Sequence, residues 1–153
     1  MMEFSNILVP LDGSEPSLRA ASAAIDLSKK YNSHLYLINV VQSEIGYTFS
    51  AGAFGGIVTP SSINSFLENS RKEAEAWFKQ ILNSQDSLGF QVDSEVILAP
   101  KSIVSAIVEY AASHKVELIV IGTSGKSGIK KLLLGSVASG VITYSSCPVL
   151  VVR

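Results

Sequence analysis

Apolar positions along the chain switch repeatedly between short continuous runs and helical spacing. Ile7-Leu8-Val9-Pro10-Leu11 is too short a run for a helix, and it ends in the turn and helix-start residues Asp12-Gly13-Ser14-Glu15-Pro16. Leu18, Ala21, Ile25 and Tyr31 then recur at helical spacing, which predicts an amphipathic helix over 14–31. Leu35–Val41 is a second apolar run, interrupted only by Asn39. Segment 46–62 mixes Gly46, Gly52, Gly55, Gly56 and Pro60 with Tyr47, Phe49 and Phe54, and reads as a long loop of the kind that is more often functional or mobile than ordinary, with no role assigned to it.

A helical pattern returns at Ile63, with Phe66, Leu67, Ala74, Trp77, Phe78, Ile81 and Leu82 on one face. Phe90, Val92, Ser94, Val96 and Leu98 alternate with their neighbours, as in a strand with one wetter face at a sheet edge. Pro100 is expected to open a helix carrying Ile103, Val104, Ile107, Val108 and Ala111. Leu118–Ile121 is the fourth strand, 135–145 the last helix and Pro148–Val152 the fifth strand. Strands alternating with helices imply βαβ units, hence a doubly wound parallel α/β sheet with helices on both faces. Ligands of such sheets sit at the carboxyl ends of the strands, where the strand order reverses.

A length of 153 residues with no internal linker suits a single domain, 1–153. With 47% hydrophobic and only 16% charged residues, the chain has the apolar excess of strands covered on both sides. A net charge of -1 supplies no bulk basic field, which argues against nucleic acid and an anionic membrane surface as partners. One cysteine, Cys147, cannot form a disulfide within the chain. Together with a start lacking a basic, apolar leader, this makes a cytoplasmic location the expectation.

Two strand ends carry unusual residues. Asp12, at the tip of the first strand, can accept bonds from ribose hydroxyls or an adenine edge; alternatively, Asp12 or Ser14 only caps the next helix. The second is Gly122-Thr123-Ser124-Gly125-Lys126-Ser127-Gly128, followed by Lys130, Lys131 and then Gly135-Ser136. Glycines let backbone amides approach phosphates, and the helix opened by Gly135-Ser136 offers free N–H groups and a positive dipole end. Ser124 and Ser136 can add hydroxyl contacts, and the lysines positive charge. The bland alternative is a glycine-rich surface loop with a basic tip. The loop is not a Walker A sequence, because Val120 stands where its first glycine belongs. Nor is it a nucleophile elbow, since Lys126 follows Ser124 at the position that requires glycine.

Gly122, two residues, Gly125, nine residues and Gly135-Ser136 resemble the G-x2-G-x9-G-[S/T] signature of the ATP-binding universal stress proteins. Ile7–Ser14, Leu118–Gly122, Leu133–Ala138 and Cys147–Val152 resemble that family as well, so the likeness spans the chain. The resemblance implies five parallel strands in the order 3-2-1-4-5, an adenine-nucleotide alpha-hydrolase-like fold. It implies that Pro10, Leu11 and Asp12 border the adenosine, that the Val40 backbone meets adenine, and that Ile121 and Gly122 line the nucleoside. Ser124, Gly125, Gly135, Ser136 and Val137 would hold the phosphates. The implied ligand is ATP, or AMP or cyclic AMP in its place, with magnesium or manganese carried on the phosphates. It further implies a homodimer joined through the last strand, in keeping with an apolar terminal edge that needs cover. Ala99, Glu117 and Ala138-Ser139-Gly140 depart from the usual family pattern, none of them at an expected phosphate contact.

His34 and His114 have no partners at metal-ligand spacing, so surface or cap roles are expected and no metal site. Trp77 is expected in the core, and Cys147 to be structural. The leading function is a nucleotide-dependent binding or signalling module in stress response. Two alternatives stand beside it: a weak ATP hydrolase without an evident general base, and a nucleotide-free structural or chaperone-like dimer.

Overall fold

A computed structural model describes residues 3–42, 60–83, 89–123 and 133–153. In chain order these form β1 (Asn6–Pro10), α1 (Glu15–Tyr31), β2 (His34–Gln42), α2 (Pro60–Asn83) and β3 (Val92–Ala99). They continue with α3 (Ile103–Ser113), β4 (Leu118–Gly122), α4 (Ser136–Tyr144) and β5 (Val149–Val152). All strands pair in parallel, in the order β3-β2-β1-β4-β5 that the resemblance implied.

The apolar runs are continuous because both faces of the sheet are covered. Ile7, Val9, Leu118 and Val120 meet α1 and α2 through Ala20, Ala24, Ile25, Ala74 and Phe78. The intervening Leu8, Ile119 and Ile121 meet α3 and α4 through Ile107, Ala111, Ala138 and Val141. A strand's period of two divides each run between the two cores. Gly140 permits the close approach of α4 to α3, since a Cβ there would stand 2.7 Å from a Val104 methyl.

Several element boundaries differ from the sequence expectation, each for a local reason. The helix α3 starts at Ile103 rather than Pro100, because Ser102 is its N-cap and accepts from the Ser105 amide at 3.0 Å. The helix α2 takes in Pro60–Ser62, which the glycine-rich pattern places in the loop; proline suits a first helical turn, whose amides lack partners in any case. The rest of that loop, from Gly46, lies outside the described residues. Phe66 and Leu98, expected on apolar faces, are exposed, while Ala74, Phe78 and Ile81 carry the buried stripe of α2. The strand β3 is an edge strand, as its mixed pattern suggested. Among the described residues no helix is long and apolar enough to cross a membrane.

β1 pairs with β2 on one side and β4 on the other, so the chain winds outward in both directions from this pair. The carboxyl ends of β1 and β4 therefore define the switch-point crevice where ligands of open α/β sheets bind.

Candidate functional site

Leu11 leaves β1 under two restraints from β2. Its amide donates to the Ile38 carbonyl at 2.7 Å, and its carbonyl accepts from the buried Asn39 side chain at 2.7 Å. The chain then turns. The Asp12 carboxylate accepts from the Ser14 amide at 2.9 Å, Gly13 adopts a φ of 79°, and Ser14 caps α1 by accepting from the Ser17 amide at 3.3 Å. The two readings of this motif thus separate: Ser14 is the helix cap, and Asp12 shapes the turn at the crevice wall.

At the end of β4, Gly122 has a packing purpose beside the one its motif suggested. A Cβ there would stand 2.7 Å from the Pro16 carbonyl carbon and 2.8 Å from the Ser17 nitrogen. Glycine at this position lets the first turn of α1 lie directly on β4. Thr123 donates to Val152 at 2.9 Å and accepts from the Gly135 amide at 2.6 Å, so the start of α4 is tied back to the end of β4. Gly135 is the N-cap of α4 and supplies no side-chain cap bond. Helix geometry leaves the amides of Ser136, Val137 and Ala138 without partners inside the helix, at its positive end.

These pieces enclose a cleft of about 720 Å³, its open mouth included. Of the residues expected at the site, Pro10, Leu11, Asp12, Val40, Ile121, Gly122, Gly135, Ser136 and Val137 line it together. Ser124 and Gly125 lie outside the described residues, as do Lys126, Lys130 and Lys131. Five further lining residues escaped the sequence reading: Ser17, Ile103, Ile107, Thr123 and Ala138. Ile103 and Ile107 were legible only as positions on the apolar face of a helix, one turn apart. In the fold they join Val40 in one apolar cluster that lines the cleft together with the polar turn at Asp12 and the helix start at Ser136. That arrangement suits a flat, apolar-faced ring carrying polar edges and an anionic tail.

The two histidines, expected to have separate surface roles, meet around Tyr36. His34 lies 2.7 Å from Asp93 through Nε2 and 3.2 Å from the Tyr36 hydroxyl through Nδ1. His114 stacks on Tyr110 at 3.8 Å between ring centroids, and both rings meet Tyr36 edge-on. Burial, and after it the charge of Asp93, raises the Tyr36 phenol above its usual range. Burial, then Glu95 with Tyr36 and Asp93, raises Tyr110 further. The cluster sits at the start of β2, at the opposite end of that strand from Val40. Cys147 is half-buried and held in a turn, its amide donating to Ser145 Oγ at 3.2 Å.

An open parallel sheet in this strand order, with a cleft at its switch point beside the N-terminus of α4, defines a doubly wound α/β protein. A family model of the universal stress protein family matches residues 3–153. Universal stress protein MJ0531 of Methanocaldococcus jannaschii is 34% identical over 150 residues, covering 98% of this chain and 82% of the relative. The chain belongs to the universal stress protein family. Among solved structures, the universal stress protein UspA from Lactobacillus plantarum matches with a TM-score of 0.79 at 22% identity, each chain covered in full. A universal stress protein in complex with cAMP matches with a TM-score of 0.60 at 24% identity, covering 99% of this chain and 98% of that one. One from Archaeoglobus fulgidus in complex with dAMP matches with a TM-score of 0.66 at 21% identity, covering 99% and 100%. These likenesses establish the adenine-nucleotide alpha-hydrolase-like fold.

Proposed function

We propose that the cleft binds an adenine nucleotide, with ATP as the ligand, and that the protein acts as a nucleotide-dependent binding or signalling module in the cytoplasm. The observation that carries this reading is the continuity of the cleft. Apolar Val40, Ile103 and Ile107, the Asp12 turn and the first residues of α4, whose N-cap Gly135 offers no side-chain bond, all line it. The bound cAMP and dAMP of the two structural relatives support the adenosine part of the assignment.

In this reading adenine meets the backbone at Val40, Asp12 accepts from ribose, and Pro10, Leu11, Ile121 and Gly122 border the nucleoside. Gly135, Ser136 and Val137, with Ser124 and Gly125, take the phosphates, on which magnesium or manganese rides. Residues 1–153 act as one domain. A second copy covers the outer edge of β5, where Leu150, Ile142 and Tyr144 leave apolar surface exposed beside the side of the strand that faces away from β4. Hydrolysis, where it occurs, is slow: positioning of the phosphates assists transfer, but Asp12, the nearest carboxylate, is taken up by the ribose and leaves no evident general base for water among the described residues.

Titration calorimetry of nucleotide-stripped protein with ATP, AMP and cyclic AMP, with and without magnesium, tests the reading. Tight binding that depends on the triphosphate is expected. Ser136→Asp, which places a negative charge at the positive helix end, should weaken ATP by about tenfold or more while sparing adenosine. Failure of all three nucleotides to bind sinks the reading.

A further inference from the structure

A carboxylate orients a ribose only if its own backbone is held, and the turn that carries Asp12 contains a glycine at a positive φ. The preceding Leu11 is fixed by Ile38 and Asn39, and the following Ser14 is committed to capping α1. Between them, Gly13 sits at a φ of 79°, in a left-handed region that glycine enters and leaves with little cost. It has no side chain through which the fold could hold it.

Trp77 of α2 stands against it. A Cβ built on Gly13 would lie 2.3 Å from Cζ2 and 2.5 Å from Cε2 of the indole, so the ring fills the space a side chain would need. Behind the ring, α2 is anchored by Ala74, Phe78 and Ile81 in the core shared with α1. The indole is thus seated against buried structure and pressed on a turn residue that has no side chain of its own. A ring in this position blocks displacement of Gly13 toward α2, and with it one direction of movement for the neighbouring Asp12.

We infer that Trp77 is a positioning residue for the nucleotide: it braces Gly13, holds the Asp12 carboxylate toward the ribose hydroxyls, and ties α2 to occupancy of the cleft. This rests on the reading that the cleft takes an adenine nucleotide. A tryptophan that only fills core would alter stability and affect all ligands alike. A brace on Asp12 affects specifically the part of the ligand that Asp12 touches.

The experiment compares ATP with 2′,3′-dideoxy-ATP by calorimetry in wild type, Trp77→Leu and Trp77→Phe, each held well below its own melting temperature. Wild type should prefer ATP by about tenfold or more, as expected for hydrogen bonds between hydroxyls and a carboxylate. In Trp77→Leu the preference should collapse to less than about threefold with the dideoxy affinity nearly unchanged, and Trp77→Phe should fall between. If the leucine variant does not fold, the loss of preference in the phenylalanine variant decides. Equal preference in wild type and a folded variant, a parallel loss of both affinities, or wild-type binding without preference for ribose hydroxyls overturns the inference alone. Absence of any wild-type binding overturns the nucleotide reading along with it.

Discussion

The side-chain amide of Asn39 donates to the main-chain carbonyl of Leu11 at 2.7 Å, across 28 residues of sequence. A polar residue inside an otherwise apolar strand is thereby explained: it closes a buried acceptor at the point where β1 becomes the ligand turn. Leucine has nearly the same size and cannot donate. Asn39→Leu is expected to cost about 1–3 kcal/mol, the penalty for an orphaned buried carbonyl, and to weaken nucleotide binding as well. Urea unfolding and calorimetry check the two effects. An unchanged midpoint would show that the bond contributes nothing.

Gly122 makes a prediction that separates folding from ligand binding. The room a Cβ would need is taken by backbone of Pro16 and Ser17, which cannot rotate aside as a side chain end could. Gly122→Ala should therefore destabilise the ligand-free protein by about 1–3 kcal/mol, as overpacking does. Thermal unfolding without nucleotide measures it. A melting temperature equal to wild type would return Gly122 to the role its motif suggested, close approach to phosphate.

The aromatic cluster predicts a loss of stability in alkali. Tyr110 is raised by burial first, and then by Glu95, Tyr36 and Asp93. As the pH rises past about 10, the unfolded chain releases its phenol protons before the folded one does, and so binds fewer of them. Stability from this source is fully present below that pH and declines above it. Tyr110→Phe should make the decline shallower from about pH 10 upward. Lysine titration contributes equally to both proteins, so the difference in urea midpoints isolates the phenol. Parallel curves would refute the assignment.

Local pattern by itself determined the kind and order of the elements. Runs such as Ile7–Val9 and Leu118–Ile121 announce buried strands, and helical spacing at Ala21 and Ile25 announces the crossover between them, because periodicity is a property of neighbours in the chain. Ends were less legible: Ser102 and Pro60 show that a cap or a tolerant first turn, more than apolarity, sets where a helix starts. The spacing of Gly122, Gly135 and Ser136 marked residues that do meet at one cleft, since β4 and α4 carry them to its rim.

Only the tertiary structure decided what presses on what. That Gly122 yields to α1, that Trp77 stands on Gly13, that Asn39 reaches Leu11, and that Ile103 and Ile107 wall the cleft depend on the placement of elements distant in sequence. The same holds for His34 and His114, which no spacing rule joins and which Tyr36 brings together. Sequence periodicity states which face of an element is buried. The identity of the partner across that face follows from sheet order, register and close packing, which exist only once the chain has folded.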